Sequence, residues 1–109
     1  MNITQSEING STILFLSGEV DVNSSPALRE ALAKLMNKGI VKIVINFEKV
    51  SYIDSSGLAT FIEIMQRLKK KDGQLSLVQM SDKIRNLFEI TKLNKLFTIY
   101  ETQEQALAS

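Results

Sequence analysis

Histidine, cysteine and tryptophan are all missing from this chain. Without histidine the commonest general base and metal ligand is gone, and without cysteine there is no disulfide, thiolate zinc site or thiol nucleophile. Zinc-protease, Ser-His-Asp and CxxC chemistries are thereby excluded. No GxxxxGK[ST] or GxGxxG loop occurs either, so neither a nucleotide cofactor nor a metal is expected. The sequence has no run of about 18 apolar residues that would span a bilayer. Its opening, Met1-Asn2-Ile3-Thr4-Gln5, lacks the cationic start and apolar core of a secretory signal, and position 2 is not the glycine of N-myristoylation. A cytoplasmic location without membrane insertion is the expectation. A surplus of charge is absent too: 13 Lys and Arg against 12 Asp and Glu leave +1, too little to draw nucleic acid by a global field.

What is present is an ordinary globular composition, 44% apolar and 23% charged over 109 residues. At roughly 150 residues per domain, this reads as a single domain over residues 1–109. Asn9-Gly10 between the runs Ile3 to Ile8 and Thr12 to Leu16 predicts an antiparallel hairpin. Ser25 then offers a helix cap and Pro26 a first helical residue, followed by the apolar stripe Leu28, Ala31, Leu32, Leu35 and Met36. Val41 to Phe47 is β-branched and nearly continuously apolar, the pattern of a central strand covered on both faces.

After Asp54 a second helix is expected, with Leu58, Phe61, Ile62, Met65 and Leu68 buried and Lys69 to Lys71 near its end, before a turn at Asp72-Gly73. Gln74 to Val78 reads as a strand, and Ser81 or Asp82 caps a helix bearing Ile84, Leu87, Phe88 and Thr91 on one side. Leu96 to Tyr100 supplies a short strand, and the capping-box spacing of Thr102 and Gln105 predicts a helix over Gln103 to Ala108. The order β-β-α-β-α-β-α-β-α implies an α/β fold: a mixed sheet opening with an antiparallel hairpin and covered by about four helices.

In such sheets, function concentrates at the carboxyl ends of the strands. Two segments fall there, Gly18 to Ser25 and Tyr52-Ile53-Asp54-Ser55-Ser56-Gly57-Leu58. Read from the residues alone, Ser55 first fits ordinary N-capping, with Asp54 ending the strand and Gly57 allowing close helix packing; an exposed hydroxyl at a helix start is the second reading. Asp21 fits a loop cap or a neighbour of that serine. Lys69 to Lys71 read as a solvated helix end.

These segments resemble those of the anti-sigma factor antagonists, bacterial single-domain members of the STAS family. Leu16-Ser17-Gly18-Glu19-Val20-Asp21 is similar to that family's Gly-Glu-hydrophobic-Asp segment, Ile45-Asn46-Phe47 to its central strand, and Ser51 to Leu58 to its phosphorylation motif. The region Ile84 to Leu96 resembles its third helix. The resemblance implies a partner switch: the unphosphorylated chain binds a serine kinase of the histidine-kinase-like ATPase fold that doubles as an anti-sigma factor, and releases that factor's client. Phosphorylation ends the binding, and a PP2C-type phosphatase resets it. The phosphoacceptor position falls on Ser55. The partner surface implied is Asp21, Asp54, Ser56 and Gly57, joined by Thr60 and Glu63, which helical spacing places away from the core. The free chain is expected to be monomeric.

Two other classes stand beside this one. A constitutive STAS interaction module in a regulatory or transport assembly would leave Ser55 unmodified. An enzyme with Ser55 as nucleophile would need a lysine base, yet Leu58 stands where a Ser-x-x-Lys motif requires lysine, leaving only a distant residue such as Lys49. No enzymatic activity is expected.

Overall fold

The computed structural model describes residues 1–108, so Ser109, the last residue of the expected domain, lies outside the described residues. Strands β1 (Asn2–Ile8) and β2 (Ser11–Val20) form the expected hairpin, with Ile8 paired to Ser11 across a two-residue turn. Asn9 and Gly10 both take positive φ, 53° and 81°, which matches the twist of the flanking strands. There follow α1 (Ser25–Asn37), β3 (Lys42–Ile53), α2 (Ser55–Lys69), β4 (Gln74–Val78), α3 (Asp82–Ile90), a 3-10 turn (Leu93–Lys95), β5 (Thr98–Tyr100) and α4 (Gln103–Leu107). The strands lie in chain order in one sheet, β1 antiparallel to β2 and every later neighbour parallel.

Alternation along the strands divides the core. Leu14, Leu16, Ile43, Ile45, Phe47, Leu75 and Leu77 face α1, α2 and α3 in the main cluster. The ring of Phe47 joins two of these helices to the sheet, 5.4 Å from Phe61 and 6.3 Å from Phe88 between centroids. Ile13, Val44 and Val78 face the other way, toward Ala106 of α4. This helix carries the expected capping box, Thr102 with Gln105. It is also fastened by two amides: Asn46 Nδ2 donates to Gln103 Oε1 at 2.9 Å, and the Gln103 N–H donates to Gln79 Oε1 at 2.9 Å.

The strands leading to the candidate site run further than the apolar runs suggest. β2 continues past Leu16 to Val20 and β3 past Phe47 to Ile53, with register shifts between Phe15 and Ser17 and between Gly18 and Glu19. Bulges of this kind let pairing persist where alternation breaks, so exposed Glu48, Lys49, Ser51 and Tyr52 belong to a strand whose end is buried at Ile53. One N-cap differs from expectation, and another settles between two expected residues. Ser24, not Ser25, occupies the N-cap of α1, moving Ser25 and Pro26 one position into the helix, whereas α3 is capped by Ser81, whose Oγ accepts from the Ile84 N–H. Thr91 ends α3 as its exposed C-cap instead of joining the buried side.

Candidate functional site

The carboxyl ends of β2 and β3 lie side by side, Val20 paired with Ile53, and each strand runs directly into the loop or helix that carries candidate residues. The Asp54 N–H donates to the Val20 carbonyl at 3.1 Å, so the junction is sealed by backbone. Asp54 itself has extended backbone (φ −111°, ψ −173°) and is the N-cap of α2; its Oδ1 accepts from the N–H groups of Ser56 at 2.9 Å and Gly57 at 3.1 Å. The capping role that the residues alone allow Ser55 therefore belongs to Asp54. Ser55 is the first residue inside the helix, is exposed, and its hydroxyl has no partner among the described residues.

Asp54 works in two directions. Its second oxygen, Oδ2, accepts from the Val22 N–H at 3.2 Å, tying the β2–α1 loop to the start of α2. On that loop Asp21 Oδ1 accepts from the N–H groups of Asn23 at 2.9 Å and Ser24 at 3.1 Å. The fold thus brings Asp21, Asp54 and Ser55 to one rim. Gly57 makes the close approach feasible: a Cβ there would lie 2.8 Å from Val20 Cγ1, Ile53 Cγ1 and the Val20 carbonyl oxygen. Ser56 is half-buried behind Ser55.

Thr60 and Glu63 are placed differently from each other. Thr60, expected on the exposed face, is fully buried against α1, where its Oγ1 donates to the Ser56 carbonyl at 3.0 Å and accepts from Arg29 Nη2 at 3.4 Å. Its polarity hid this: α2 packs against α1 as well as the sheet, and its buried positions are Gly57, Thr60, Phe61, Ile64 and Leu68. Leu58, Ile62 and Met65 are only half-buried, packed on the margin of the core. Glu63 is half-exposed and faces Arg29 at 3.4 Å and Arg67 at 3.9 Å. Two residues the sequence pattern does not single out, Arg29 and Val22, are thus part of the neighbourhood. Val22 carried a signal, an aliphatic side chain inside a polar loop.

Lys49 lines a groove with Asn2, Thr4, Phe15 and Glu48, and Phe15 packs in the smaller core cluster on the sheet face that holds α4. Among the described residues there is no group of three or more carboxylates able to hold a metal, and no helix long and apolar enough to cross a membrane.

The family model described as STAS domain matches residues 2–106. The anti-sigma-B factor antagonist of Staphylococcus aureus (strain NCTC 8325 / PS 47) is 39% identical over 89 residues, 82% of each chain. The chain belongs to the STAS domain family. Its fold is shared with an anti-sigma factor antagonist from Mycobacterium paratuberculosis, at a TM-score of 0.89 and 26% identity over 98% of this chain and 91% of that one. It is shared also with the Bacillus cell fate determinant SpoIIAA, solved in its phosphorylated form, at a TM-score of 0.75 and 24% identity over 98% and 97%. The mixed sheet with its opening hairpin and helices is therefore the STAS fold, and the Asp54-Ser55-Ser56-Gly57 rim lies at the start of its second helix, beside the carboxyl end of β2.

Proposed function

We propose that this chain is an anti-sigma factor antagonist, one STAS domain over residues 1–109, working in the cytoplasm as a binding protein without catalytic activity of its own. In its unphosphorylated form it binds a serine kinase of the histidine-kinase-like ATPase fold that serves as an anti-sigma factor, and so frees that factor's client. The kinase transfers the γ-phosphoryl group of ATP to Ser55 Oγ, the serine proton and ADP leave, and binding ends; a PP2C-type phosphatase restores the hydroxyl. The observation that carries this reading is the exposed Ser55, whose hydroxyl has no partner among the described residues, beside a cap made by Asp54. A serine occupied in capping would have its oxygen committed to backbone N–H groups.

The local electrostatics explain why one phosphate suffices. Phosphorylation adds about −1.5 to −2 charge. The helix start favours that charge, but Asp54 already holds the N–H groups of Ser56 and Gly57, so the phosphate stands in solvent beside a carboxylate with Asp21 nearby. The fold keeps its hydrogen bonds; the partner meets bulk and like charge where it must approach closely. A loss of about 2.7 kcal/mol in binding is already a hundredfold in affinity. The contact surface we assign is Asp21, Asp54 and Ser56 with the half-exposed Glu63; Gly57 and Thr60, both expected on that surface, are buried and contribute only through the packing of α2 on the strand ends and on α1.

The test is phosphosite mass spectrometry on the protein from its native cells under resting and stressed growth, with fragment ions that separate Ser55 from Ser56. It is paired with binding of the wild-type and Ser55→Asp chains to the purified anti-sigma factor of that host. A condition-dependent phosphate on Ser55 and loss of binding in Ser55→Asp are expected. Phosphate on Ser56 would move the site, and no phosphate in any condition with unchanged Ser55→Asp binding would leave a constitutive STAS module.

A further inference from the structure

Single exposed apolar side chains are common and carry no message by themselves. Val22 differs in how it is held. It is 64% exposed at the tip of the β2–α1 loop, yet hydrogen bonds fix the loop on both sides of it. Its own N–H goes to Asp54 Oδ2 at 3.2 Å; the Asp21 N–H donates to Ser24 Oγ at 2.9 Å, and that hydroxyl lies 2.8 Å from the Glu19 carbonyl, to which it can donate. The Asn23 and Ser24 N–H groups end on Asp21 Oδ1, and Ser25 donates to the Asp21 carbonyl through both its N–H, at 2.8 Å, and its Oγ, at 2.6 Å. A β-branched side chain, stiff at χ1, thus projects into solvent from a loop that has little freedom left to lose.

We infer that Val22 is an apolar anchor of the partner interface, seated on binding in an apolar pocket of the anti-sigma factor, and that this is one way the state of Ser55 is read. The inference rests on the function proposed above and adds to it a residue and a kind of contact. Val22 is tied to the carboxylate of Asp54, the residue directly before Ser55, so the anchor and the phosphoacceptor share one support. An apolar pocket closing over Val22 strips water from its surroundings. An unmodified serine hydroxyl beside it costs far less to dehydrate than a phosphate carrying nearly two charges. Loops already ordered in the free protein also add affinity without an ordering cost.

The experiment compares unphosphorylated wild-type, Val22→Thr and Val22→Ile chains by isothermal titration calorimetry against the purified anti-sigma factor of the native host, with Ser55→Asp alongside and thermal melts of every chain. Thr keeps the shape and β-branch of Val while replacing a methyl by a hydroxyl. Val22→Thr is expected to weaken binding about tenfold, Val22→Ile to stay within about threefold of wild type, and both to melt within about 3 °C of it. Wild-type affinity in Val22→Thr, with Ser55→Asp abolishing binding, would overturn the anchor and leave the partner switch standing. A weakened Val22→Thr that also melts much lower would assign Val22 a structural role and overturn the anchor equally. If the wild-type chain binds no anti-sigma factor, the proposed function falls and the anchor falls with it.

Discussion

One carboxylate, that of Asp54, accepts three backbone N–H groups, two at the start of α2 and one on the loop that bears Val22. Asp54→Ala therefore removes a helix cap and a loop tether together. Capping alone is worth about 1 kcal/mol, and about 4–8 °C in melting temperature accompanies each kcal/mol in a domain near this size. A melt should fall by at least that amount, and Asp54→Asn, which keeps an acceptor oxygen, should fall less. Gly57→Ala is the sharper probe. Its Cβ would meet the Val20 carbonyl oxygen at 2.8 Å, and backbone yields less readily than a side-chain tip. Overpacking of this kind costs about 1–3 kcal/mol, and thermal denaturation of Gly57→Ala should show it; wild-type stability would mean that α2 can slide away from β2. At this scale the motif was legible but its division of labour was not. Ser, Asp and Gly at a strand-to-helix junction announce a cap, and which of them makes it depends on which has extended backbone.

Among elements, the contact of α1 with α2 shows where reading a stripe fails. Hydrophobicity marks the side of α2 facing the sheet, yet the side facing α1 is closed by Thr60 under Arg29. The ion pairs above it join Arg29, Glu63 and Arg67, each with side chains about two-fifths exposed at 43%, 43% and 42%. Exposed pairs contribute about 0–1 kcal/mol. Glu63→Ala should accordingly move the melting temperature by no more than a few degrees while weakening partner binding, and a large stability loss without a binding change would remove Glu63 from the interface. The short helix α4 poses the opposite case. Gln103→Ala leaves Asn46 Nδ2, on a residue only 6% exposed, without its partner. An unsatisfied buried donor costs about 1–3 kcal/mol. Hydrogen exchange should then quicken first in α4, the element this amide holds to the sheet. The capping box of α4 was written in the sequence; the amides that dock it join residues 46, 79 and 103, which no local pattern associates.

For the whole molecule, the proposed switch requires a fold that tolerates its modification. The phosphate would stand on an exposed position at the favourable end of a helix dipole, outside every core contact. The Ser55 and phospho-Ser55 forms should melt within a few degrees of each other, as differential scanning calorimetry can read. A drop above about 10 °C, several times the change per kcal/mol for a domain of this length, would make unfolding part of the switch. The order of elements, the hairpin at Asn9-Gly10, the central strand and the Asp54-Ser55-Ser56-Gly57 junction were determined by the sequence alone. Periodicity, turn residues and caps act over a few neighbours, and local energetics suffices to decide them. The length of β2 and β3 past their apolar runs, the burial of Thr60, the pairing of Asn46 with Gln103 and the tether from Asp54 to Val22 were decided only by the tertiary structure. Each joins residues distant in the chain, and such contacts form only after the sheet has brought its strands and helices together.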